Sequence, residues 1–169
     1  MIFKGLNHKH IDFSLEYFDQ AELTGFYTQL EITGLSLYLQ IEDALTMTSI
    51  LVSEVEKIIN WFEKLLLNEP VEPRLLTMND QFYFDLVENN SDSKLIRITH
   101  DNTVPVPGVG GYSLAPGTKK EDFFKKVFVD CEMNSMEIER VVKKLRAELD
   151  IEMEIGWKVE SKRPKWEGE

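Results

Sequence analysis

The sequence predicts an α+β fold: an antiparallel β-sheet of about six to seven strands with two amphipathic helices packed on one face. Three observations point there. Apolar and polar residues alternate in several short runs, the period of a half-buried strand. Two longer stretches, 51–67 and 134–149, place their apolar residues at helical spacing instead. Turn-forming residues at Gly34, Asn79-Asp80 and Asn89–Ser93 separate strand-like runs by short intervals, as antiparallel hairpins require.

In chain order, Ile11, Phe13, Leu15 and Tyr17 alternate with Asp12, Ser14 and Glu16 and make the first strand. A second is expected over 23–32, rich in Thr, Tyr and Ile. Gly34 turns the chain into a third, Leu35–Glu42, with Leu35, Leu37, Leu39 and Ile41 on one face. Asp43–Ser49 reads as a connection. The helix that follows, Ser53–Leu67, continues a helical spacing of Val52, Val55, Ile58, Ile59, Phe62, Leu65 and Leu66 on one side, with Ser53 and Glu56 as a capping box. Pro70 and Pro73 forbid its continuation, so it ends near Asn68.

Strands are then expected at 74–78, 81–88, 94–100 and 123–133, and a second helix at Asn134–Leu149, capped by Asn134 with Glu137. The two helices echo each other: Val55-Glu-Lys-Ile-Ile-Asn-Trp-Phe62 aligns with Ile138-Glu-Arg-Val-Val-Lys-Lys-Leu145. Amphipathicity alone produces such a likeness, so it supports side-by-side packing rather than a duplication. Residues 101–119 hold three prolines and four glycines and form a long irregular loop, a length that is often functional. The expected organisation is one domain over 1–155 and a polar tail over 156–169, poorly ordered beyond Val159.

At 169 residues the chain can bury one sizeable core. It has no apolar run of membrane-spanning length and no signal-peptide pattern, and its single cysteine, Cys131, excludes an internal disulfide; a cytoplasmic location is the expectation. The net charge of −11 is unevenly spread. Residues 1–92 contain 16 acidic and 5 basic side chains, giving −11, whereas 93–169 contain 14 of each. Lys9 and Lys57 bracket nine carboxylates with no Lys or Arg between them. Such a field repels nucleic acid and anionic membrane and attracts a basic protein; the alternative reading is that it serves solubility alone.

The residues offer little catalytic chemistry. The glycine cluster Pro107–Ser113 lacks the Lys-Ser/Thr of a phosphate loop and does not spell a nucleophile elbow. His8 and His10 would share a strand face, but no third metal ligand is specified. His100 reads as a solvated strand end. Cys131 lies between Asp130 and Glu132, whose charges raise a thiol pKa and favour an inert, packed cysteine. No cofactor and no metal is called for. Aromatics among the acidic N-terminal residues (Phe13, Tyr17, Phe18, Phe26, Tyr27 and Tyr38) divide between core and surface, and the outward ones suit protein contacts.

The helix LVSEVEKIINWFEKLLLNEPVEP, the runs RLLTMNDQFYFDLV and SKLIRITH, the Pro/Gly loop and FFKKVFVDCEMNSMEIERVVKKLRAEL together resemble the WapI-type immunity proteins of bacterial polymorphic-toxin systems, over roughly residues 10–150. The family often has an acidic residue followed by Trp-Leu in its second strand, where this chain has Phe26-Tyr27. The resemblance implies a non-catalytic protein that binds and neutralises a toxin's C-terminal domain, for the namesake an RNA-cleaving one. The acidic N-terminal strands and the Pro/Gly loop are then the expected contact, with Asp12, Glu16, Asp19, Glu22, Glu31, Glu42 and Asp43 from the first and Asp101 and Tyr112 from the second. Two other readings compete: an enzyme with a site near the 101–119 loop, and an accessory module that pairs with itself through a sheet edge.

Overall fold

The computed structural model describes residues 2–6, 10–18, 34–41, 44–77, 82–101, 103 and 126–160. Its strands are β1 (Ile2–Lys4), β2 (His10–Phe18), β3 (Gly34–Ile41), β4 (Ala44–Leu51), β5 (Arg74–Leu76), β6 (Phe82–Asn89), β7 (Ser93–Asp101) and β8 (Lys126–Asn134). The helices are α1 (Val52–Leu66) and α2 (Ser135–Glu160). The class is α+β with antiparallel pairing throughout, as the alternation requires. Among the described residues the strands divide into two four-stranded sheets, β1-β2-β3-β4 and β5-β6-β7-β8.

The two sheets and both helices close on one core. Phe3 of β1 is its hub, with ring centroids 6.3 Å from Phe13, 6.1 Å from Phe62 of α1 and 6.3 Å from Phe84 of β6. Phe13 reaches Phe82 at 5.9 Å, so the first sheet meets the second through aromatic rings. The predicted helix faces are the buried ones: Val55, Ile58, Ile59, Phe62 and Leu65 in α1, and Ile138, Val141, Val142, Leu145 and Leu149 in α2. The helices lie against each other, and Arg146 of α2 reaches Glu63 of α1 at 2.6 Å.

Three local expectations are corrected. The expected connection is a strand over its described part: 44–51 form β4, paired in register with β3. Its threonines alternate too weakly in hydropathy to announce a strand, and the pairing with β3 decides the matter. α1 opens one residue early, at Val52, so Ser53 is not its cap. Glu54 accepts the Leu51 N–H at 2.9 Å instead, closing the helix start from inside the first turn. α2 continues past Leu149 to Glu160. Its cap is as predicted, Asn134 Oδ1 accepting the Glu137 N–H at 3.0 Å. The strand expected at 23–32, the turn at Asn79-Asp80 and nearly all of the 101–119 loop lie outside the described residues.

The exit of α1 explains why the Trp61-Phe62 and Glu69–Pro73 segments belong together. Asn68 takes a left-handed φ of 54°. Its N–H donates to Leu65 O at 3.2 Å and the Glu69 N–H to Lys64 O at 2.8 Å, a Schellman closure. Trp61 Nε1–H then donates to the Glu72 carbonyl at 3.0 Å, fastening the proline-rich exit onto the helix. The buried Lys94 holds the same corner from β7, donating to Asn68 Oδ1 at 2.7 Å and to the Asn90 carbonyl.

Candidate partner-binding surface

The second sheet turns one face to the core and displays an ordered pattern on the other. Because side chains alternate along each strand, residues in register across β5–β8 line up as rows on that outer face. One row reads Arg74, Asp85, Arg97, Asp130, alternating positive and negative across four strands. The next reads Leu76, Tyr83, Thr99, Phe128. Beyond it, Asp101 stands opposite Lys126.

Contacts join the rows. Arg74 and Asp85 pair through two hydrogen bonds, of 2.5 and 3.1 Å, and Arg97 and Asp130 through two of 2.7 and 2.8 Å. The Arg74 guanidinium lies 4.7 Å over the Tyr83 ring, Lys126 lies 5.2 Å from the same ring, and Arg97 lies 4.2 Å over Phe128. This cover buries Tyr83 and Thr99 although they face away from the core, while Leu76 and Phe128 at the row's ends stay exposed. The Thr99 hydroxyl has no hydrogen-bond partner among the described residues.

The electrostatics follow from these pairs. The hydrogen bonds from Arg97 hold the Asp130 carboxyl below its ordinary range, against the opposing effect of burial. Burial pushes Asp101 up, but hydrogen bonds from Thr103 and the nearby Lys126 outweigh it and leave the group below its ordinary value. Thr103 supplies both its N–H, at 3.0 Å, and its hydroxyl to Asp101. Asp101 is therefore occupied in closing the β7–β8 pair, with Lys126 3.6 Å away. It is the one carboxylate of the expected contact set whose side-chain contacts the structure describes.

Asp12 and Glu16 stand in β2 at the positions alternating with buried Ile11, Phe13 and Leu15, in register with Gln40 and Ser36 of β3. Asp19, Glu22, Glu31, Glu42, Asp43 and Tyr112 lie outside the described residues. Sequence reasoning passed over a different set of carboxylates. Glu69, Glu72 and Glu88 are exposed and form no ion pair among the described residues, in contrast to Asp85, Asp101 and Asp130. The hydrogen bond from the Leu86 N–H to the Pro73 carbonyl, at 2.8 Å, brings the exit of α1 beside the far end of β6 that carries Glu88. Their signal was present in the sequence: three of the excess carboxylates of the first 92 residues, in turn-rich positions.

Cys131 is buried, and burial with the neighbouring Asp130 pushes its thiol up to about 12, so it is no nucleophile at neutral pH. His100 is not a solvated strand end. It is 1% exposed, because the even-numbered positions of β7 (Lys94, Ile96, Ile98 and His100) face inward. Burial holds its pKa below the ordinary value, with Asp101 opposing. No cluster of metal-binding side chains occurs among the described residues, and no helix described is long and apolar enough to cross a membrane.

The model of the immunity protein WapI-like family matches residues 27–152, well over half of the chain. The matched span runs from the sequence before β3 through most of α2, including the whole second sheet. Neither a curated protein nor a solved structure matches the chain.

Proposed function

The chain belongs to the WapI-like immunity protein family, and from that premise we propose that it binds a basic toxin domain through its acidic N-terminal half and holds it inactive without catalysis. The observation that carries the reading is the charge asymmetry: the whole net charge of −11 resides in residues 1–92. A nuclease domain must present cations to a phosphate backbone, and a carboxylate-rich surface competes for those cations and speeds encounter.

The arrangement of ion pairs supports this division of labour. On the outer face of the second sheet each described carboxylate of the charged row is engaged by an arginine, so that row adds order to the sheet and little net field. Asp12 and Glu16 in β2, with Glu69, Glu72 and Glu88 at the α1 exit and the end of β6, are the carboxylates we assign to the partner. Outward aromatic side chains of the N-terminal strands would supply short-range affinity.

The test is co-expression with the toxin domain encoded beside this chain's gene. Rescue of growth is the expected result, and purified complexes should weaken steeply as salt rises. Reversing charge at Asp12 and Glu16 together should slow association more than it speeds dissociation. Absence of rescue, with both proteins present and soluble, would sink the reading.

A further inference from the structure

The dipeptide Asn-Ser occurs twice in the chain, at Asn90-Ser91 and at Asn134-Ser135, in two different settings. Asn134 caps α2: its Oδ1 accepts the Glu137 N–H at 3.0 Å, and Ser135 opens the helix. The side chain and the peptide bond that follows it are both held by the helix start. Asn90 and Ser91 instead lie in the exposed turn between β6 and β7. The Asn90 N–H donates to the Ser93 carbonyl at 3.1 Å, and the Asn90 carbonyl accepts from Nζ of the buried Lys94. The same Nζ donates to Asn68 Oδ1 at 2.7 Å, so the α1 exit fixes its position. An anchored ammonium is thus aimed at the carbonyl of the Asn90-Ser91 peptide bond.

We propose that Asn90 is a modification site, deamidated through a succinimide to isoaspartate, with Lys94 activating the reaction. The Ser91 nitrogen gives its proton to solvent and bonds to Asn90 Cγ. The bond from Cγ to the side-chain nitrogen breaks, that nitrogen takes a proton from solvent, and ammonia leaves. Loss of the Ser91 proton spreads negative charge onto the Asn90 carbonyl oxygen, the atom to which Lys94 donates. A donor already aimed at an oxygen where charge develops lowers the barrier, and a charged donor does so more than a neutral one. Ring opening uses the same contact. Water adds to the main-chain carbonyl that Lys94 polarises, and the bond from that carbon to the Ser91 nitrogen breaks. The chain then runs through Cγ, which is isoaspartate, and the freed carboxylate is the group beside Lys94. One water is consumed and one ammonia released. The product places a new carboxylate at the end of β6 that carries Glu88.

The reaction is independent of toxin binding. The test is incubation of the full folded chain at neutral pH, with peptide mass spectrometry separating asparagine, aspartate and isoaspartate at both Asn-Ser sites. Conversion should be about tenfold or more faster at Asn90 than at Asn134, whose reaction waits for the helix start to open. In concentrated urea the two sites should react at similar rates, and the isoaspartate share at position 90 should fall. Lys94→Met should slow Asn90 several-fold in the folded chain. Asn134 gauges unfolding in that variant. If both sites speed up, the variant has opened, and the isoaspartate share of the unaltered chain decides: an equal share folded and in urea overturns the proposal. Equal rates at the two sites in the folded chain also overturn it, as does an Asn90 that stays intact there. So does a Lys94→Met chain that keeps Asn134 slow and converts Asn90 undiminished.

Discussion

Arg97 on β7 and Asp130 on β8 face each other in register and join through two hydrogen bonds, of 2.7 and 2.8 Å, with the guanidinium lying over the ring of Phe128. The pair is partly exposed, at 38% and 24%, so solvent screens it and its contribution to stability is on the order of 1 kcal/mol. Asp130 has its pKa depressed on folding, so it adds stability above the ordinary value of 3.8 that is lost as pH falls through the lower, folded value. Asp130→Asn should remove that acid-sensitive component in urea titrations between neutral pH and pH about 3, while changing neutral stability modestly. An unchanged acid limb would show that the pair does not hold in solution.

Thr99 offers a stabilising substitution. Its hydroxyl is fully buried without a hydrogen-bond partner among the described residues, beneath the side chains of the outer face. Thr99→Val keeps the shape, removes the unsatisfied group and should raise stability by about 1 kcal/mol. A loss of stability in chemical denaturation would mean that a water or a neighbouring group satisfies the hydroxyl.

Lys94 should prove costly to neutralise. It is 4% exposed and bridges Asn68 at the α1 exit to the Asn90 carbonyl of the β6–β7 turn. Lys94→Met retains the stem but strands both acceptors, with a cost of about 2–3 kcal/mol in equilibrium unfolding. The denaturant slope should stay constant, because the rest of the core is untouched.

His100 makes the fold acid-sensitive in a second window. Its pKa is lowered by burial, so below the ordinary 6.5 the unfolded chain binds a proton that the folded chain refuses, and stability falls as pH drops. His100→Leu should flatten the stability profile just below pH about 6.5 and leave the Asp130 component in place. Nuclear magnetic resonance titration of the imidazole checks it directly, and an ordinary titration midpoint would contradict the burial.

Cys131 should be unreactive until the protein opens. With the thiol pushed up to about 12, disulfide reagents at pH near 8 should label it at the rate of unfolding, and fully once denatured. The raised value also removes stability at the alkaline end: the unfolded thiol ionises above 9.0 while the folded one does not, so stability declines as pH climbs from there towards about 12. Rapid, stoichiometric labelling of the native chain would count against a sealed core.

Much of this was legible from residue order, and the limits have identifiable causes. α1 and its exit could be read locally, because periodicity, the two prolines and Asn68 act within a few residues of one another. β4 could not, since a strand whose Ala, Thr and Ser residues interrupt its apolar ones depends on β3 to define its inner row. The burial of His100 was missed because solvation of a strand end depends on which neighbours flank it, and β6 and β8 bracket it on both sides.

The family and the uneven charge were determined by sequence alone, since both are read from the identity and order of residues whatever conformation the chain takes. Which carboxylates remain available was decided only by tertiary structure. Asp85, Asp101 and Asp130 look no different from Glu69, Glu72 and Glu88 in the sequence. Strand register sets the first three opposite Arg74, Lys126 and Arg97, and leaves the others without a cation among the described residues. Pairing depends on distances of a few ångströms between residues far apart in the chain, and register across a folded sheet is what fixes those distances.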